Sequence, residues 1–128
     1  MTRFLKTPRG ALIGLAHIAQ IEEQRARVGL VARFFGDTGK ELGSVAPPYR
    51  LPAGFIEVVG ARLFSDRPAD VQHVFRNLDI VAQIATSPQG LTMLFAADGR
   101  SLGSVRAGDL DAAGLPIFDP REGLIDAA

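Results

Sequence analysis

The chain has 128 residues, and Lys+Arg 14 against Asp+Glu 14 leave no formal net charge. That balance withholds the basic footprint of a protein that coats nucleic acid or an anionic membrane. Hydrophobic residues at 47% and charged residues at 22% make the chain too apolar to be disordered, and the lack of cysteine removes disulfides, thiolate metal sites and cysteine nucleophiles.

In chain order, Thr7-Pro8-Arg9-Gly10-Ala11-Leu12 reads as a crude helix start. The apolar stretch Gly10 to Ile21 contains His17 and Gln20 and is well short of the roughly 20 residues that span a bilayer. It runs into Glu22, Glu23, Gln24, Arg25 and Arg27 with no small-residue cleavage site, so the expectation is an unprocessed, soluble, cytoplasmic protein. Arginine supplies twelve of the fourteen basic residues, a bias of GC-rich bacterial genomes that suggests a bacterial or phage-like origin.

Strands are expected around His17 to Glu23 and Gly29 to Phe35, with a shorter one ending at Val45. Asp37-Thr38-Gly39-Lys40 supplies the glycine of a tight turn, so the last two pair as a hairpin. The loop Ala46-Pro47-Pro48-Tyr49 leads through Ala53-Gly54 into the apolar run Phe55-Ile56-Glu57-Val58-Val59. Ser65-Asp66-Arg67-Pro68 looks like a capped helix start, and Val71, Val74, Phe75 and Leu78 follow at helical spacing, which predicts an amphipathic helix over Pro68 to Asn77. Further strands are expected over Asp79 to Thr86, over Gly90 to Ala96 and ending at Val105. Ala107-Gly108-Asp109 is read as a loop, followed by the apolar stretch Leu115-Pro116-Ile117-Phe118.

Much of the second half restates the first. Phe35, Gly39, Leu42, Gly43, Ser44 and Val45 recur sixty residues later as Phe95, Gly99, Leu102, Gly103, Ser104 and Val105. Leu15, Ala19, Gln20 and Ile21 match Leu78, Ala82, Gln83 and Ile84 at an offset of sixty-three. The second copy decides between helix and strand in the first. Ala11 to Phe35 alone resembles one long helix, but its counterpart is broken by Thr86-Ser87-Pro88-Gln89-Gly90. The expected fold is therefore mainly β (α+β): one domain, 1–128, made of two repeats, about 1–60 and 61–128. They would pack with pseudo-two-fold symmetry as a small sandwich or partly open barrel with one or two short helices.

Candidate chemistry is sparse. His17 and His73 lack metal-like spacing and fit surface or boundary positions better than ligation. Ser44 and Ser104 stand in Leu-Gly-Ser-Val, which lacks the second glycine of a nucleophile elbow. Asp37 and Asp98 occupy turns, and Asp109 and Asp111 begin a calcium-loop pattern that lacks the terminal Glu, Pro120 standing there instead. Gly36-Asp37-Thr38-Gly39-Lys40 lies in a hairpin and not at a strand entering a helix, so it is no phosphate cradle. No catalytic residue, metal or cofactor is expected.

The zero net charge conceals an asymmetry. Residues 1–35 carry a balance of +4 and residues 107–128 a balance of −4, which favours association between chain ends. A non-enzymatic protein-binding or assembly module, self-associating as a homodimer, is the expectation. Its candidate interface is the pair of edge-like stretches containing Phe55, Ile56, Val58, Val59, Leu115, Ile117 and Phe118. The alternative is a DNA-binding regulator that contacts phosphates through Arg9, Arg25, Arg27 and Arg33.

Two family patterns appear in part. Arg76-Asn77-Leu78-Asp79-Ile80, Ile84, Gly90-Leu91 and Asp98-Gly99-Arg100 together resemble the closing strands of LytTR-type DNA-binding domains, over about twenty-five residues. That resemblance implies an elongated β-rich reader of DNA. The basic, histidine-containing segment expected upstream is missing, since Arg62 to Phe75 carries only Arg62, Arg67 and His73. Gly39-Lys40-Glu41-Leu42-Gly43-Ser44-Val45 is similar to the opening of PRC-barrel domains, which implies a small barrel that binds protein partners.

Overall fold

The computed structural model describes residues 3–106, 108–116 and 119–121. Among these residues, ten strands form three antiparallel sheets: β1 (Phe4–Lys6), β2 (Leu12–Gly14), β3 (Gln20–Ala26), β4 (Gly29–Phe35), β5 (Glu41–Val45), β6 (Phe55–Val58), β7 (Val71–Asn77), β8 (Gln83–Thr86), β9 (Thr92–Phe95) and β10 (Ser101–Val105). The orders are β1-β2, β5-β4-β3-β7-β6 and β10-β9-β8, and one short helix, α1 (Asp109–Ala112), follows. The mainly β expectation stands at this level. The sheets do not close into a barrel, and no described helix is long and apolar enough to cross a membrane.

The glycine turns form as expected. Gly36 N donates to Lys40 O at 2.8 Å and Ala96 N to Arg100 O at 2.9 Å, with Gly39 and Gly99 at φ +86° and +85°. The helix expected over Pro68 to Asn77 is a correction: only Pro68–Asp70 makes a 3-10 turn, and Val71–Asn77 is strand β7. Its pairing with β3 runs Glu23↔His73 and then Gln24↔Val71, so Gln72 is bulged. A bulge adds one residue and resets the two-residue alternation. Val71 and Val74 therefore share a face three residues apart, imitating helical spacing, while Phe75 serves the opposite face. The helix start read at Thr7 to Leu12 is likewise the turn between β1 and β2, where Thr7 N donates to Ala11 O at 2.9 Å. Of the loop read at Ala107 to Asp109, Ala107 lies outside the described residues and Asp109 is the first residue of α1.

Two hydrophobic clusters result. The first is built on Leu15, Ile18, Ile21, Ala32 and Phe34, and the second on Ile56, Val58, Val74, Leu94, Leu102 and Val105. The β6–β7 hairpin stands between them, sending Phe55 and Phe75 to the first and Ile56, Val58 and Val74 to the second. Beyond β6, Val59 and Ser104 exchange backbone hydrogen bonds of 2.8 and 2.9 Å, which link β6 to β10.

Several connections occur in parallel in the two halves. Leu15 N donates to Arg3 O and Leu78 N to Gly54 O, both at 2.9 Å. Ala19 N donates to Phe35 O and Ala82 N to Phe95 O, both at 2.8 Å. Phe4 pairs with Gly14 as Phe55 pairs with Asn77, and the β4–β5 and β9–β10 hairpins both shift register just after their turns. The expected two-fold relation requires two cross-pairings, β3 with β7 and β8 with β2. The described residues contain the first and not the second.

Candidate functional site

The polar groups lock the structure together. Glu22 on β3 is fully buried; its carboxylate accepts from Phe64 N at 2.6 Å, Ser65 N at 3.1 Å and Gln20 Nε2 at 2.7 Å. Gln20 Nε2 also donates to Arg62 O at 3.0 Å, so two side chains of β3 fasten the segment that joins β6 to β7. Nearby, Arg33 makes a two-pronged contact with Glu41 (Nε to Oε1 and Nη2 to Oε2, both 2.9 Å). Its Nη1 reaches Gln24 at 2.8 Å, Ser65 at 3.0 Å and Asp66 at 3.2 Å. The Glu41 contact holds the Arg33 guanidinium above its ordinary pKa, and the hydrogen bond from Arg33 holds the Glu41 carboxyl below its own.

That pair carries a pH dependence. A carboxyl whose folded pKa is depressed stabilises above its unfolded value and loses the contribution as pH falls through the folded value. The margin between the protein and Glu41→Gln, less than about 1 kcal/mol for so exposed a pair, is therefore present near neutral pH and is lost as pH falls below the ordinary carboxylate range through the lowered pKa of Glu41. Urea midpoints of both forms across that range check it; a constant margin would contradict it.

His73 Nδ1 stands 2.7 Å from Glu57 Oε2, across neighbouring strands. Ser104 Oγ lies 3.4 Å from Val59 O, and among the described residues no hydroxyl is hydrogen-bonded to His73. Among the described residues, no three His, Asp or Glu side chains are grouped to hold a metal ion.

The sequence-derived interface residues are scattered. Ile56 and Val58 are buried in the second cluster and Phe55 packs on the first. β6 ends the five-stranded sheet with β7 as its one strand neighbour, and the stretch meets β10 through the Val59–Ser104 bridge. Val59 keeps 40% exposure, Leu115 is half-buried, and Ile117 and Phe118 lie outside the described residues. Of the arginines, Arg9 is exposed in the β1–β2 turn, Arg25 near the end of β3 and Arg27 in the turn after it, whereas Arg33 is committed to Glu41 and Asp66.

Among the described strands, six have a single strand neighbour: β1, β2, β5, β6, β8 and β10. β2 has a neighbour only in β1, and β8 only in β9. β2 exposes 64% of Leu12, the adjoining β1 exposes 58% of Phe4, and β8 exposes 39% of Ile84. By contrast, the outer side of β5 faces the β1–β2 turn across an open groove of about 580 Å³ lined by Thr7, Arg9 and Leu42, and Gly43 leaves no room there beside Ile13. Strands β1 and β2 escaped the sequence reading because they are three residues each and the turn between them resembles a helix start. No family model matches the chain, and neither comparison with curated proteins nor comparison with solved structures gives a match.

Proposed function

We propose that the chain is a non-catalytic assembly module, a duplicated five-stranded unit that associates with protein, itself included, through exposed strand edges. The duplication places β1 to β5 beside β6 to β10, a reading supported jointly by the residue matches and by the parallel hydrogen bonds of the two halves. The arginine bias and lack of cysteine fit a bacterial or phage-like cytoplasmic protein.

One observation carries the assembly reading. β3 and β7 each have neighbours on both sides, while β8 and β2, which match them in the duplication, each have one. Unpaired edges bearing exposed apolar side chains are templates for another strand. Sedimentation equilibrium tests this: the weight-average mass is expected to rise above one chain between about 1 μM and 1 mM, a range in which weak interfaces of this kind associate. A constant single-chain mass would contradict self-association. The DNA-binding alternative has less support, because Arg33 is held by two carboxylates.

A further inference from the structure

The duplication also says what should cover these edges. The second unit joins the first by adding β7 to β3, in the register Gln20↔Arg76, Ile21↔Phe75 and Glu22↔Val74. Moving each strand to its counterpart by the same sixty-three residues gives Gln83 opposite Ile13, Ile84 opposite Leu12 and Ala85 opposite Ala11. Within one chain this pairing is absent. A second copy supplies it without any new kind of contact.

Resting on the duplication proposed above, we infer that the chain assembles head to tail, the β1–β2 hairpin of one copy adding to β8 of the next with Leu12 opposite Ile84.

The exposed apolar residues fall where this requires them. Phe55 and Phe75 are the side chains of β6 and β7 that pack onto the first cluster. Their counterparts on β1 and β2 are Phe4 and Leu12, 58% and 64% exposed. On the receiving side, Ile21 is fully buried against the added strand, and its counterpart Ile84 is 39% exposed. The unit thus repeats its own joint with both faces uncovered. Charge agrees in sign: residues 3–14 carry Arg3, Lys6 and Arg9 and no anion, while Asp79 is the only charged residue in 78–95.

The contact between copies is weaker than the internal one for two stated reasons. Asn77 Nδ2 donates to Leu15 O at 3.1 Å and Ile18 O at 2.9 Å, whereas its counterpart is Gly14, whose side-chain space is filled by the His17 ring 3.0 Å away. The internal joint also acts at an effective concentration in the millimolar range, which separate chains lack. Association is therefore reversible and concentration-dependent. A head-to-tail contact differs from a two-fold one in leaving a free head and a free tail, so it grows into a ring or a filament.

Two edge variants test the polarity. Leu12→Glu blocks the head and Ile84→Glu blocks the tail, at exposed positions where circular dichroism will verify folding. By light scattering, each alone is expected at single-chain mass at concentrations where the unmodified protein associates, and an equimolar mixture at two chains and no more. Register is read separately: because the chain has no cysteine, Leu12→Cys mixed with Ile84→Cys forms a disulfide-linked pair that neither forms alone. If the unmodified protein associates but either blocked variant still does so alone, or the mixture stays at one chain, the head-to-tail contact is overturned while self-association survives. If the unmodified protein remains a single chain at every concentration, both fail.

Discussion

Glu22→Ala lowers stability by about 1 to 3 kcal/mol for each backbone amide that it leaves buried without an acceptor. The carboxylate receives the amides of Phe64 and Ser65 and the side-chain amide of Gln20; when it is cut away the two backbone amides lose their acceptor, while Gln20 Nε2 keeps Arg62 O. Glu22→Gln keeps one accepting oxygen but sets an NH2 group against donors, so it falls between the two forms. Chemical denaturation measures the loss. Hydrogen exchange locates it: the Phe64 and Ser65 amides are expected to exchange faster than the strand amides of β3. A loss under about 1 kcal/mol, the size of an ordinary surface contact, would mean that the segment between β6 and β7 is held by other means.

Phe34→Ala is expected to cost about 3 to 5 kcal/mol, the usual range for removing a buried aromatic side chain from a close-packed core. Phe34 is 1% exposed on β4 and belongs to the cluster that Phe55 and Phe75 enter from the β6–β7 hairpin. The cavity therefore opens at the joint between the two halves as well as within the first. Leu94→Ala, at the corresponding position of the second cluster, has its expected range at about 2 to 5 kcal/mol, but it leaves that joint intact. The two variants are distinguished by exchange at β3 and β7, which rises more in Phe34→Ala. Equal behaviour at the joint would argue against the hairpin as its seat.

The hairpins were readable in the sequence because turn chemistry is local: the glycines at 39 and 99 need positive φ, and their neighbours repeat at a fixed offset. The strand pattern of Gly29–Phe35 and the strand ends at Val45 and Val105 follow from the same signal. β7 was hidden by its bulge and by burial on both faces, which together remove the alternation that marks a strand. The role of Glu22 was not legible, since nothing in the local pattern shows that backbone amides forty residues away will meet it. The surroundings of the candidate interface were hidden for a similar reason. Phe55 to Val58 look like an edge from composition, and β6 does end its sheet, but only the fold shows that Ile56 and Val58 are buried and that Val59 is bridged to β10. β2 is short and was concealed in a segment that resembled a helix start.

The central claim is that β2 and β8 are unfilled places in a repeated strand arrangement. Backbone hydrogen exchange followed across a dilution series reads this strand by strand. Amides of 11–14 and 83–86 are expected to gain protection as concentration rises, while those of β3 and β7, already paired on both sides, stay unchanged. Exchange at β2 and β8 that is the same at every concentration would contradict the account.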